Sequence, residues 1–517
     1  MAFQKISLTP DAIASNRPEM LGSLRQMELI LALDAGTTGV RSVAFDRAAA
    51  PVASAYRELT QFFPEPGWVE HDAAEIADLA VATLREVASH VRDQGHKVVA
   101  LGVTNQRETT VAFDRETGHL AHRALVWQDR RTAPYCEQLE RGGQGDLVRS
   151  TTGLVLDSYF SATKMKWLLD AGVLDRATLP SLCTIDTWLL WWLSGASDGG
   201  VFLTEPSNAS RTLLMDLDTL DWSSAMTALF DVPVAALADI RPSTTNFATV
   251  SADIVPELAG VPITGVLGDQ QAALFGQACF APGLIKATYG TGAFVLANAG
   301  DSSPGVFDGL ITSVAWDLGA FGPAAYCVEG SAFVAGAGVQ WLRDELGFID
   351  EAADLEALAT SVESSDGVAF VPAFTGLGSP FWRSDARGSI TGLSRGSSRA
   401  HVARALLEAL AFQVRAMTEA FAAAGIDLRE LRADGGAAAM DSLLQLQATN
   451  SRLEVARSAS LEATARGAAT VAGLEIGVWH SLEQLGELWQ SSRRFSPKDP
   501  MLVDAGYAAW LRACERS

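Results

Sequence analysis

The chain has 517 residues, 48% of them hydrophobic, with a formal net charge of −22 and a pI near 4.7. That length exceeds what one compact core accommodates, so two large domains with a cleft between them are expected. The acidity, without any basic tract to displace phosphate counterions, excludes a nucleic-acid partner, and no apolar run approaches the roughly 18–20 residues of a stable membrane insertion.

Residues 1–26 show weak periodicity and lack the apolar core of a secretory signal, so they read as a flexible N-terminal extension. Strand-like sequence then begins at once. Residues 28–33, 41–45 and 52–56 form a meander around a turn at 36–39. Residues 72–91 carry Ile76, Leu79, Ala80, Leu84, Val87 and Val91 at helical spacing. Residues 98–103 and 109–113 read as buried strands, and 187–193 as a buried helix face. A short strand at 264–267 closes the first domain, and a helix opens at Gln270. The pattern then repeats: strand, glycine turn and strand over 284–296, a long helix at 401–424, a strand near Leu431 and a helix at 440–448. Residues 372–382 form a glycine-rich aromatic connection. Strands interleaved with helices indicate an α/β protein, divided at 27–277 and 278–517. The five cysteines, Cys136, Cys183, Cys279, Cys327 and Cys514, are scattered without a CxxC pair. They read as small buried side chains suited to the reducing cytoplasm.

Two aspartates stand where apolar strands end: Asp34, before Gly36-Thr37-Thr38-Gly39, and Asp269, after Val266-Leu267-Gly268. Glycines and hydroxyls after a strand can turn backbone N–H groups onto an anion, and phosphate is the obvious one. Gly290-Thr291-Gly292 repeats the arrangement, and Asp434-Gly435-Gly436-Ala437 supplies a third turn. Phosphoryl transfer needs such cradles, a divalent ion and an acceptor hydroxyl held by a carboxylate. The Walker pattern is missing. Arg107 and Glu108, just beyond a buried strand, pair a donor with an acceptor for a small polyol; the plain alternative is a surface salt bridge. Trp127, Tyr159 and Phe294 are candidates to wall its carbon skeleton, unless they are simply core. Asp269 is the candidate to accept the hydroxyl proton, with Gln270 orienting a neighbouring hydroxyl; the alternative for Asp269 is a helix N-cap.

Pro66-Gly67-Trp68-Val69-Glu70-His71-Asp72, Thr104-Asn105-Gln106-Arg107-Glu108-Thr109-Thr110, Val126-Trp127-Gln128-Asp129-Arg130-Arg131-Thr132 and Gly268-Asp269-Gln270-Gln271 together resemble the FGGY carbohydrate kinase family. The resemblance runs from about residue 29 to 479 and is strongest to members that phosphorylate glycerol. It implies two actin-like, ribonuclease-H-like domains with the active site in the cleft between them, the first binding mainly glycerol and the second mainly nucleotide. It implies ATP with Mg2+ and transfer to glycerol to give sn-glycerol 3-phosphate. Arg107, Glu108, Tyr159 and Asp269 would bind hydroxyls with help from Gln270, while Trp127 and Phe294 pack on carbon. Asp269 would be the base. Asp34 and Asp269 would place the metal, and Thr37, Thr38 and Arg41 would serve the phosphates. Thr291, Gly292, Gly336, Gln340, Gly436 and Ala437 fall where the family binds nucleotide. A homodimer or homotetramer is implied.

Three positions depart from the family pattern: Ala35 replaces a usual glutamine, Ser158 a proline and Met440 an asparagine near the nucleotide. Residues 256–262 lack the glycine-rich, arginine-bearing loop that the family ties to inhibition by fructose-1,6-bisphosphate. Two rival readings share the fold: a kinase for another small polyol or sugar, and a catalytically silent actin-like nucleotide sensor. Closure of the two domains on bound ligand is expected, since water would otherwise compete as acceptor.

Overall fold

The run ELILALDA forms a strand, β1 (Glu28–Ala35), buried along nearly its whole length, as a strand covered on both faces should be. This computed structural model describes residues 26–172 and 181–517. The extension expected at 1–26 therefore lies, apart from residue 26, outside the described residues. β1 continues into the antiparallel strands β2 (Gly39–Phe45) and β3 (Pro51–Glu58). The turn between β1 and β2 is closed by the Gly36 N–H donating to the Gly39 carbonyl at 3.0 Å. Helix α1 (Ala73–Asp93) starts at Asp72, whose carboxylate accepts from the Ala74 N–H, and it buries the expected apolar stripe except Leu79, which stays half-buried.

Strand β4 (Lys97–Asn105) lies parallel to β1, and β6 (Pro262–Gly268) parallel to β4, with β5 (Thr244–Thr249) antiparallel at the edge. The sheet order is β5-β6-β4-β1-β2-β3. In register, Asp34 pairs with Thr104, and Thr104 with Leu267. Three adjacent parallel strands thus end at one edge, where open α/β sheets bind ligands. That edge carries Asp34, the residues after Asn105, and Asp269.

After helix α2 (Asp269–Gly276) the same design recurs. Strands β7 (Leu284–Tyr289), β8 (Ala293–Gly300), β9 (Ile311–Trp316) and β10 (Ala325–Ala332) precede helices α3 (Gly336–Asp344) and α4 (Arg399–Ala423). β11 (Glu430–Asp434), α5 (Asp441–Ser451), β12 (Glu454–Ser458), α6 (Ala463–Glu475), β13 (Ser491–Phe495) and α7 (Met501–Arg516) complete the chain. The second sheet runs β9-β10-β8-β7-β11-β12-β13, with β7, β11 and β12 parallel. β10-β8-β7-β11-β12-β13 repeats the strand directions of β3-β2-β1-β4-β6-β5, although the edge strand β5 precedes β6 in the chain whereas β13 follows β12, and β9 is an added edge strand. Residues 372–382 form no helix, as expected. All five cysteines are free and buried.

Helix α6, although late in the chain, packs against α2 and lies over β1, β4 and β6 of the first sheet. The close approach is made by glycine. A Cβ on Gly276 would stand 1.9 Å from the Ala463 carbonyl oxygen, and one on Gly467 1.9 Å from that of Ala272. Helix propensity favours Gly467→Ala by about 1 kcal/mol, but the obstructing atom is backbone and cannot swing away. The overlap wins, and a net loss of about 1–3 kcal/mol is expected in denaturant unfolding.

Candidate active site

Arg107 leaves the end of β4 and is 2% exposed, at the centre of a buried charge cluster. Its Nη1 donates to Glu329 Oε2 at 2.7 Å and to Gln271 Oε1 at 3.1 Å, and its Nη2 to Glu329 Oε1 at 3.0 Å and the Tyr159 hydroxyl at 3.5 Å. Its Nε lies 3.2 Å from Asp269 Oδ1, yet is a buried donor with no hydrogen-bond partner. Glu108 is equally buried, so the two are not a surface pair; Arg107 Nε lies 3.8 Å from Glu108 Oε1, and Arg211 Nε donates to Glu108 Oε1 at 2.7 Å. Glu108 has a φ of 57°, in the left-handed region that a non-glycine residue occupies only when its surroundings enforce it. The Ser161 and Thr110 hydroxyls both hold its carbonyl, at 2.9 and 3.2 Å.

Three aromatic rings stand beside these groups. Trp127 meets Tyr159 edge-on at 5.5 Å between ring centroids and Phe294 at 6.3 Å. Trp127 and Phe294 are half-buried, unlike a core ring. The Trp127 Nε1–H donates to Thr37 Oγ1 at 2.9 Å, tying this wall to the turn after Asp34. Asp269 is the first residue of α2, and Gly268 is the cap, so the N-cap alternative does not hold; its Oδ1 accepts from the Gln270 N–H at 2.7 Å. Gln270 faces Lys286 of β7, whose Nζ donates to its Oε1 and to Thr288 Oγ1 at 3.1 Å.

Asp34 interacts electrostatically with Asp269 across β4. Burial, opposed by Arg41 and reinforced by Asp269 and Glu462, pushes its carboxyl up to about 7. Arg41 is held by Glu462 at 2.6 Å and lies 5.5 Å over the Tyr56 ring. A cavity of about 190 Å³ is lined by Asp34, Gly36, Thr38, Arg41 and Glu462. In the second half the Gly290 N–H donates to the Gly292 carbonyl at 2.9 Å, a turn one residue tighter than the Gly36–Gly39 turn, and the Gly336 N–H donates to the Gly290 carbonyl at 2.9 Å. Thr291 and Gln340 are exposed beside it. A Cβ on Gly435 would meet the Tyr289 carbonyl oxygen at 2.5 Å, so the third turn also abuts the end of β7. A cavity of about 610 Å³, lined by Gly435, Gly436, Ala438, Arg457 and Arg41, opens from it. Ala437 is half-buried on the same turn. Ala35 and Ser158 are buried, and Met440 packs into the core of the second half.

Sequence reasoning missed Glu329, Arg211 and Lys286. Glu329 and Lys286 each carried a signal, a single charged side chain inside an otherwise apolar strand. Arg211, in Asn208-Ala209-Ser210-Arg211-Thr212, carried none. Burial would raise Glu329, but Arg107 and Arg211 outweigh it and hold the carboxyl at about 2. Burial lowers Lys286 to about 8 against the pull of Asp434, Asp269 and Glu329.

Residues 29–276 match the N-terminal domain of the FGGY family of carbohydrate kinases, and residues 285–476 its C-terminal domain. The chain belongs to the FGGY family of carbohydrate kinases. Among FGGY proteins it is similar to a glycerol kinase of Bordetella parapertussis, 48% identical over 500 residues, 95% of this chain and 97% of that one. A glycerol kinase of Halorhodospira halophila is 47% identical over 503 residues, covering 95% and 97%. The crystal structure of Plasmodium falciparum glycerol kinase with ADP superposes with a TM-score of 0.88 at 34% identity, covering 95% of this chain and 98% of that chain. Gluconate kinase from Lactobacillus acidophilus, at 19% identity and a TM-score of 0.84 over 95% and 98%, shares the FGGY fold. This is the two-half actin-like architecture expected from the sequence, and the family match with its kinase relatives makes the chain an ATP-dependent kinase.

Among the described residues no three His, Cys, Asp or Glu side chains converge as a complete metal cage, and no helix is long and apolar enough to cross a membrane. Mg2+ does not require a cage; it binds one or two carboxylates plus phosphate oxygens and water. Asp34, whose ionisation the nearby Asp269 charge opposes, and Asp269 stand at one sheet edge and fit that role.

Proposed function

We propose that this chain transfers the γ-phosphoryl group of ATP to a terminal hydroxyl of glycerol, giving sn-glycerol 3-phosphate and ADP. The observation that carries the reading is the Asp269–Arg107–Glu108 group set against Trp127, Tyr159 and Phe294, one strand away from Asp34. Three polar groups around a short aromatic wall suit a three-carbon polyol: rings cover its carbons, Glu108 accepts from one hydroxyl, and the unpartnered Arg107 Nε–H donates to another. Asp269 takes the proton of the attacking hydroxyl as its oxygen bonds to phosphorus and ADP departs. Gln270, anchored on Lys286, steadies the first turn of α2.

Asp34 and Asp269 would hold Mg2+, which neutralises phosphate charge when bound. Thr37, Thr38 and Arg41 face the phosphates; Arg41 reaches them by leaving Glu462. Thr291, Gly292, Gly336, Gln340, Gly436 and Ala437 grip the nucleotide, so residues 278–517 bind mainly nucleotide and 27–277 mainly glycerol. The reading places the protein in the cytoplasm as a homodimer or homotetramer.

ADP release measured with glycerol, dihydroxyacetone, erythritol, xylulose and gluconate tests the substrate. Glycerol is expected to give the highest kcat/KM. A larger polyol exceeding it overturns the assignment, and release with none of them favours the silent sensor.

A further inference from the structure

Glu329 belongs to β10, a strand of the second sheet, yet it is wholly buried against residues of the first. Both of its oxygens are committed. They accept from Arg107 Nη1 and Nη2 at 2.7 and 3.0 Å, lie 3.4 Å from both terminal nitrogens of Arg211, and accept from the Ser331 hydroxyl at 3.3 Å. We infer that Glu329 is a positioning residue that the second half contributes to the hydroxyl site of the first, aiming the Arg107 guanidinium at the substrate. The inference rests on the proposed glycerol site.

A guanidinium is planar, so holding its two terminal nitrogens fixes where its Nε points. Here Nε faces Asp269 at 3.2 Å and is a buried donor without a hydrogen bond of its own. The stem is pinned from behind: a Cβ on Gly268 would stand 2.8 Å from Arg107 Cγ. Charge balance makes the same demand. Arg107 and Arg211 are at most 2% exposed and face Glu108 and Glu329, two cations against two anions. Without Glu329, two buried guanidiniums share Glu108, and Arg107 is drawn onto Asp269, the carboxylate that must stay available to a hydroxyl. Because the two halves supply opposite partners, the hydroxyl site is complete only while they are closed on each other. Glycerol binding and closure are then linked in part through the Arg107–Glu329 ion pair, beside the Trp127–Phe294 and Gln270–Lys286 contacts that also cross the halves.

The test is Glu329→Gln in the full-length protein, with steady-state kinetics in both substrates. KM for glycerol is expected to rise about 30-fold or more, with KM for ATP within twofold of the parent. An unchanged glycerol KM overturns the inference. The double variant Glu329→Gln/Arg211→Gln restores charge balance and supplies the measurement if the single variant does not fold. Recovery of thermal stability with glycerol KM still raised supports positioning, whereas recovery of both shows that Glu329 only balances charge and overturns it. Parent protein that phosphorylates no polyol overturns the proposed function and takes this inference with it. An active parent with an indifferent Glu329→Gln overturns the inference alone.

Discussion

Asp269→Asn is expected to lower kcat for glycerol phosphorylation roughly 1,000-fold, within the range of about 10²–10⁴ that a positioned general base supplies. Nucleotide binding should survive. Asparagine keeps the size of the side chain and an oxygen for the Gln270 N–H that Asp269 now holds at 2.7 Å, so the start of α2 is preserved. What disappears is the acceptor for the hydroxyl proton and one negative charge 3.2 Å from Arg107 Nε. The turns proposed to grip nucleotide are built by backbone contacts at Gly290, Gly292, Gly336 and Gly435, made among themselves and with the end of β7. ADP affinity by calorimetry without divalent metal should therefore stay within about threefold while turnover collapses, a split that follows from removing an interaction made in the transition state. Near-parental turnover would remove Asp269 from the base role.

Much of this site was legible in the sequence because its parts are local. Asp34 and Asp269 are announced by apolar strands that stop at a carboxylate, and each glycine turn by spacing alone. Arg107 and Glu108 follow a buried strand directly, so their position at the sheet edge needed no tertiary knowledge. The strand and helix bounds shifted only by a few residues: Ser451 rather than residue 448 ends α5, and β1 extends to Ala35. What stayed hidden is whatever depends on distant segments meeting. Arg107 and Glu329 are 222 residues apart in sequence, and neither strand pattern shows the pairing. The return of α6 to the first sheet was equally invisible. Its Gly467 reads as a weak helix residue until the Ala272 carbonyl appears where its side chain would go. Arg41 shows the converse. The family resemblance implies a place for it on the phosphate side; the structure sets it on a cavity with Asp34, Gly36 and Thr38, held by Glu462, a residue 421 positions away.

Asp34→Asn is expected to move activity and stability in opposite directions. Burial is the largest influence on this carboxyl, and Asp269 and Glu462 add to it, so that Arg41 alone does not compensate and the group titrates near 7 instead of 3.8. The folded chain thus holds the proton more tightly than the unfolded chain does. Ionising Asp34 costs stability progressively between pH 4 and 7, fully above that interval and not at all below it. An asparagine carries no such cost. At pH 8, without nucleotide or divalent metal, the variant should melt about 1–2 °C higher than the parent, and near pH 4 the difference should vanish. Turnover with ATP should fall roughly 100-fold or more, because removing this charge takes away one of the two carboxylates proposed to hold Mg2+. A Tm that falls at pH 8 would show that Asp34 already has a compensating partner inside the fold. Unchanged turnover across a titration of Mg2+ would instead place the cation elsewhere, with Asp269 the remaining carboxylate of the edge. The opposition of the two effects is the signature of a charge kept in the fold at a cost for the sake of a ligand.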